Sequence, residues 1–218
     1  MTSRRPSSSL PPFVLPMLAR PGAPFDSDEH LFEIKWDGTR MLAFVEQNGY
    51  RLINRHRAER TAQYPELSCL TELPAGTILD GELVVFADGR PDFYRLLSRD
   101  QTCDPFKIRL ASRLRPATYV VFDLLYVGFR PLLAQPLSDR RQRLSQLVEE
   151  FDRPELALSE GIIGTGRALF AEVCQLGLEG LVAKRLTSPY QPGRRTKDWI
   201  KIKPRARLTD RTDSHKPR

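Results

Sequence analysis

The sequence has only three cysteines and three histidines among 218 residues. Cys69, Cys103 and Cys174 are odd in number, far apart and without a CxxC pair. That spacing excludes a disulfide framework and a thiolate zinc site, and predicts buried free thiols in a reducing compartment. His30, His56 and His215 are scattered, which argues against a histidine metal cage or a histidine-based triad. No apolar run approaches the roughly 18 residues that span a bilayer. The opening MTSRRPSSSLPP has no apolar stretch long enough for a secretory signal. These absences predict a cytoplasmic protein without a membrane partner. There is no P-loop G-x-x-x-x-G-K-[ST]. GTGRAL offers Gly164 and Gly166 but lacks the third glycine of a dinucleotide fingerprint, and reads as the start of a helix.

What the chain does have is positive charge. Thirty-four Lys and Arg against 27 Asp and Glu leave a net charge of +7, which favours polyanionic partners. At 40 % hydrophobic residues the chain can bury an ordinary globular core. The first dozen residues, rich in Ser, Arg and Pro, are expected to be poorly ordered, and residues 205–218 to form a basic polar tail. Residues 13–204 between them carry no linker or repeat and predict one compact domain.

Short strand-like runs dominate that stretch. LFEIKWD, RMLAFVEQ and YRLI follow one another closely, with Asn48-Gly49 marking a hairpin between the last two. TILDGELVVF, TYVVFDLLYV, GLVAK and DWIKIK come later. SDRRQRLSQLVEEF reads as a helix capped by Ser138, with Leu144, Leu147, Val148 and Phe151 on one face. TGRALFAEVCQLG reads as a second, capped by Thr165 and ended by Gly177. Hairpins with isolated helices predict an α+β fold of antiparallel sheets flanked by helices.

Strand alternation places Glu33 beside Lys35, Asp80 beside Glu82, and Lys201 beside Lys203. Taken singly, each pair fits the wet side of a half-buried strand, and EIKWDGTR fits a surface hairpin. Taken together they suit covalent chemistry at a lysine. An ordinary lysine is neutral in only about one molecule in 2,500 at pH 7, so a nucleophilic lysine needs help. Desolvation and neighbouring cations supply it, and Arg40, Arg55, Lys184, Lys201 and Lys203 are candidates. Carboxylates such as Glu82 and Glu179 oppose that help unless a divalent cation neutralises them. Cations plus metal-holding acids suit attack on a phosphate better than a Schiff base.

K-x-D-G-x-R at Lys35 to Arg40 is followed, in order, by NRHR, LDGEL, FDLLY, EGLVAK and DWIKIK. This series resembles the nucleotidyltransferase motifs of ATP-dependent DNA ligases, and is most similar to the ligase module of bacterial end-joining ligases. The resemblance runs from Leu15 to Lys203 and implies an ATP-grasp-like adenylation domain. It implies that Lys35 becomes AMP-linked, that Glu33 reads the adenine edge, and that Arg40 lies beside ribose and phosphate. Arg55 would contact the nucleotide, Glu82 the ribose or a metal, and Glu179 a metal. Phe122 would stack on adenine, although by sequence alone a residue of so apolar a strand fits the core better. Lys184 would belong to the nucleotide site, and Lys201 and Lys203 would hold the α-phosphate and assist departure of pyrophosphate.

ATP and Mg2+ (or Mn2+) are the implied cofactors, and nicked or broken duplex DNA the implied substrate in repair. An RNA ligase or a GTP-using capping enzyme shares the lysine chemistry, and a non-catalytic nick-binding module is the alternative outside enzymes. Two departures stand out. The family has glycine two residues after the second-motif arginine, whereas this chain has Arg57, and VGFR replaces an Asp-Gly turn. In the family an OB-fold follows the last motif. Residues 205–218 are too few to form one, so the expectation is either a partner (OB-fold, Ku-like or polymerase) or an excised catalytic fragment or reduced protein, with slow unaided adenylation.

Overall fold

The computed structural model describes residues 9–204. The basic tail expected over 205–218 lies outside them, as does most of the expected disordered start. Within the described part of that start, Leu10 packs against a core cluster, so order begins earlier than the composition suggests.

Two sheets form the molecule. The chain enters through β1 (Leu18–Pro21) and β2 (Ser27–Ile34), then crosses to β3 (Thr39–Glu46) and β4 (Gly49–Asn54). A 3-10 segment (Pro65–Glu72) leads to β5 (Thr77–Ala87) and β6 (Arg90–Pro91). Two helices, α1 (Phe93–Asp100) and α2 (Pro105–Leu114), separate these from β7 (Ala117–Val127) and β8 (Arg130–Pro131). Next come α3 (Leu137–Phe151), β9 (Leu156–Leu158), β10 (Gly161–Gly164), α4 (Gly166–Gln175), β11 (Leu181–Arg185) and β12 (Arg195–Ile202). One sheet has the order β1-β12-β11-β2-β10; the other runs β4-β3-β5-β7-β8, with β6 on β5 and β9 on β7.

Antiparallel pairing prevails, as expected from closely spaced hairpin signals. Two pairings are parallel, β1 with β12 and β7 with β9. The Asn48-Gly49 hairpin forms with Glu46 opposite Gly49, so the two turn residues are Gln47 and Asn48. EIKWDGTR, by contrast, is no hairpin. β2 and β3 lie in different sheets, and the segment carries the chain from one to the other.

α3 buries Leu144 and packs Leu147, Val148 and Phe151 on the main core cluster, the face that its periodicity predicts. Its expected cap is wrong. Ser138 lies inside the first turn with its hydroxyl on Asp139, and Pro136 occupies the cap position without a side-chain bond. Proline suits that position because no N–H is needed there. Thr165 does precede α4 but makes no side-chain cap; Asp26, from a distant loop, accepts from the Arg167 N–H instead. Gly177 follows α4 with φ +68°, as its place past the helix end requires.

α1 and α2 were not legible as helices, although Asp92 and Asp104 cap them and Pro105 opens the second. The thiols also differ from expectation. Cys103 and Cys174 are exposed and only Cys69 is half-buried, with burial pushing its thiol up to about 11.

Candidate active site

A cleft of about 620 Å³ opens where the two sheets meet. The crossing from β2 to β3 places Lys35 there, one residue past the end of β2. Two glycines make the crossing tight enough. A Cβ on Gly38 would lie 2.1 Å from the Leu83 carbonyl of β5, and one on Gly180 (φ +137°) 2.1 Å from the Ile202 carbonyl. Gly180 also accepts the Lys35 backbone N–H at 2.8 Å, which fixes the lysine where β2 ends. Short spacers around Lys35 are therefore a packing requirement.

All ten residues singled out from the sequence line this cleft: Glu33, Lys35, Arg40, Arg55, Glu82, Phe122, Glu179, Lys184, Lys201 and Lys203. They come from six separate segments. Their pairings were not readable in advance, and three networks account for them.

Glu179 sits between two lysines. Its Oε2 accepts from Lys35 Nζ at 2.5 Å and its Oε1 from Lys203 Nζ at 2.5 Å. Burial works against its ionisation, yet hydrogen bonds from Lys203 and Lys35 hold the carboxyl below the ordinary range. Strand alternation suggested that Lys35 would face Glu33; its partner is Glu179, 144 residues later.

Glu33 belongs to a second, buried network. Its Oε2 accepts from Lys184 Nζ at 2.9 Å and from the Ser159 hydroxyl at 3.0 Å. Trp36 Nε1 donates to the same serine oxygen at 3.1 Å. An indole N–H only donates, so the serine proton must point to Glu33. Glu33 Oε1 is buried without a hydrogen bond and lies 3.9 Å from Arg141. Lys184 Nζ rests 4.1 Å from the Phe122 ring centroid and 4.6 Å from that of Trp199. Burial chiefly, and Arg141, lower the pKa of Lys184, while Glu33 and Asp123 oppose them. Phe122 thus combines both readings of it, packed in a core cluster and facing the cleft.

Arg40 anchors the third network. It donates to both Asp80 oxygens at 2.9 and 2.6 Å and to the Met17 carbonyl at 2.7 Å. Tyr190 donates its hydroxyl to the same Asp80 at 2.6 Å. Three of the five guanidinium N–H groups are committed, leaving two for anything in the cleft.

Glu82 and Lys201 contrast with these. Neither side chain has a hydrogen bond or ion pair among the described residues, and both face the cleft. Burial raises the Glu82 carboxyl to about 8; Arg40 and Lys35 pull it down, Asp80 and Glu179 push it up. A carboxyl of this kind attracts a cation. Among the described residues no cluster of three or more His, Cys, Asp or Glu could cage a metal. One or two carboxylates completed by phosphate oxygens are, however, the usual magnesium arrangement, and Glu82 with Glu179 fits it.

Arg55 is exposed at the cleft rim, its Nε donating to His56 Nε2 at 3.1 Å. The substituted glycine position keeps the geometry glycine would give: Arg57 has φ +64°. Asn54 braces this turn, its side-chain oxygen accepting from the His56 and Ala58 N–H groups and its carbonyl from that of Arg57. VGFR also keeps a tight turn, with Gly128 at φ +54° and Phe129 at φ +62°. Sequence reading missed Trp36, Ser159 and Arg141. Trp36 stands beside the lysine, but nothing in LALSE marks Ser159 as its partner.

The comparisons with known proteins fit this geometry. A family model described as "ATP dependent DNA ligase domain" matches residues 16–203. The SPbeta prophage-derived DNA ligase-like protein LigB of Bacillus subtilis is 35% identical over 192 residues, 87% of this chain and 67% of that protein. The multifunctional non-homologous end joining DNA repair protein LigD of Mycobacterium tuberculosis is 37% identical over 193 residues, 86% of this chain but 24% of that one. A solved structure of mycobacterial DNA ligase D complexed with ATP and MES superposes with a TM-score of 0.73 at 35% identity, covering 87% of this chain and 60% of that one. The chain thus spans about two thirds of the first relative and about a quarter of the second. It belongs to the ATP-dependent DNA ligase family, whose nucleotidyltransferase (adenylation) domain it carries.

Proposed function

We infer that the cleft binds ATP and that Lys35 takes its AMP, to pass it to a DNA 5′-phosphate. The single observation that supports this best is the convergence of Lys35, Glu179, Lys203, Lys201 and Glu82 at one cleft. Phosphoryl transfer asks the protein mainly for positioning and charge stabilisation, and a lone lysine on a wet strand would supply neither.

In this reading the Lys35 nitrogen attacks the α-phosphorus, its N–P bond forming as the bond to pyrophosphate breaks. The proton on Nζ must leave first. Glu179 already accepts it in a hydrogen bond but is held acidic, so the proton passes onward to solvent or phosphate. Lys203 shares that carboxylate, and Lys201 is free to meet phosphate oxygens. Glu33, held by Ser159 and Lys184 where it lines the cleft, is the carboxylate assigned to the adenine edge. Phe122 and Trp199 wall the base, and Arg40 and Arg55 flank ribose and phosphate. A divalent cation (Mg2+, or Mn2+) held by Glu82 and Glu179 would neutralise phosphate charge. Protonation of the phosphoramidate nitrogen then makes Lys35 a leaving group, and AMP moves to the 5′-phosphate of a nick.

Nick sealing, repair of broken duplexes, a cytoplasmic setting and help from an OB-fold, Ku-like or polymerase partner belong to this proposal too. The basic charge and the relatives' names support them. The test is incubation with α-labelled ATP or GTP and Mg2+, followed by a nicked duplex. Label that enters the protein from ATP and leaves on the duplex supports the reading. Preference for GTP, or no transfer with duplex bound, overturns it.

A further inference from the structure

The segment joining β5 to β7 contributes nothing to the cleft: no cleft residue falls between Glu82 and Phe122. It nonetheless carries the most exposed large apolar side chains of the described residues, Tyr94 at 83%, Leu114 at 68% and Phe106 at 66%. Leu110 follows at 47%. Steps of four residues advance a helix by about 40°, so Phe106, Leu110 and Leu114 form one stripe along α2. Ile108, the only buried residue of α2, lies about 160° from Leu110 and faces the body of the protein. The helix is thus apolar on two sides, and only one is covered.

The borders of the open stripe carry charge of one sign. Arg109 and Arg113 flank it on one side and Lys107 on the other, all exposed. α2 contains no acidic residue, and none of these three cations makes an ion pair among the described residues. Asp104 and Pro105 fix the start of α2, Asp104 accepting from the Phe106 and Lys107 N–H groups, so the stripe is presented on a defined helix.

We propose that this face of α2 is a docking site for an acidic amphipathic helix of another protein or domain. Phosphate-backbone binding would use the cations but leave two leucines and a phenylalanine in water. A partner helix with apolar residues at i, i+4 and i+7 buries the stripe, and flanking Asp or Glu side chains meet the three cations. α2 is about 15 Å long, which matches three such anchors.

The experiment uses three synthetic helical peptides sharing one leucine stripe, with glutamate, glutamine or lysine flanks, titrated into the full chain by fluorescence anisotropy. The glutamate peptide binds most tightly. Leu110→Asp weakens it by about tenfold or more, the loss typical of a central apolar anchor. Arg109→Glu with Arg113→Glu shifts preference to the lysine peptide, a result that unfolding cannot mimic. ATP-dependent labelling of each variant stays at the parent level. The proposal is overturned by no binding, by binding indifferent to peptide charge, or by Leu110→Asp leaving the affinity unchanged. It is equally overturned if phosphatidylglycerol vesicles or duplex DNA bind this face in preference to the peptide, or if sedimentation shows the stripe buried between two copies of the chain.

Discussion

Two ion-pair centres in this protein use similar groups to opposite effect. At Arg140 the guanidinium meets both Asp123 oxygens at 2.7 and 2.9 Å and donates to the carbonyls of Gln135 and Ser188, all without exposure of either side chain. At Glu179 one carboxylate is shared by two lysines, with side chains 25% (Lys35) and 50% (Lys203) exposed and an uncommitted carboxyl, Glu82, close by. The first centre is saturated and ties α3 to β7. The second has more cations than its carboxylate can serve fully, so an arriving phosphate or divalent ion can redistribute the partners. A rigid centre holds the frame, and a redistributable one suits the proposed chemistry.

The largest expected break of that contrast is Lys35→Ala. It should abolish ATP-dependent labelling while shifting stability by less than about 1 kcal/mol, as partly exposed pairs contribute little; a thermal melt beside the labelling assay checks both. Arg140→Ala should do the reverse. It leaves Asp123 charged and buried, at a cost of about 3–5 kcal/mol, with labelling per folded molecule retained. Urea unfolding with labelling at low temperature separates the two, and a mild stability loss would remove the contrast.

A third prediction concerns Glu82 and pH. Its carboxyl rises from 4.5 to about 8 on folding, so the folded state binds a proton that the unfolded chain has lost. Stability from this group is complete below pH about 4.5 and is lost as pH rises toward about 8. Melting temperature should fall across that window, Glu82→Gln should flatten the fall, and Mg2+ should lift the alkaline end in the parent only. An unchanged slope in Glu82→Gln would remove Glu82 as its source. The smallest effect is at Arg57. With φ +64°, its replacement by glycine should relieve about 1 kcal/mol of backbone strain, read as a rise in melting temperature; a fall would show that its contact with the Phe13 ring matters more.

Much of this was legible because it is local. Strand runs, the Asn48-Gly49 hairpin and the apolar face of α3 follow from spacing, and six motifs in order located ten of the residues that line the cleft. What escaped depends on contacts across the fold. Nothing near Lys35 names Glu179 as its partner, 144 residues away, and nothing near Glu33 names Lys184, 151 away. Asp26 replaced Thr165 as a cap because a distant loop brought a carboxylate to the helix start. β2 and β3 resembled a hairpin because local patterning cannot say to which sheet a strand belongs. α1 and α2 were missed because each buries a single apolar side chain, Leu96 in α1 and Ile108 in α2, so neither shows an inward apolar stripe.

In the proposed reaction Lys35, alone among the lysines of the cleft, is the nucleophile. Peptide mapping by tandem mass spectrometry after incubation with ATP and Mg2+ tests it directly. An acid-labile AMP adduct is expected on Lys35 and none on Lys184, Lys201 or Lys203. An adduct on another lysine, or one that persists in Lys35→Ala, would contradict it.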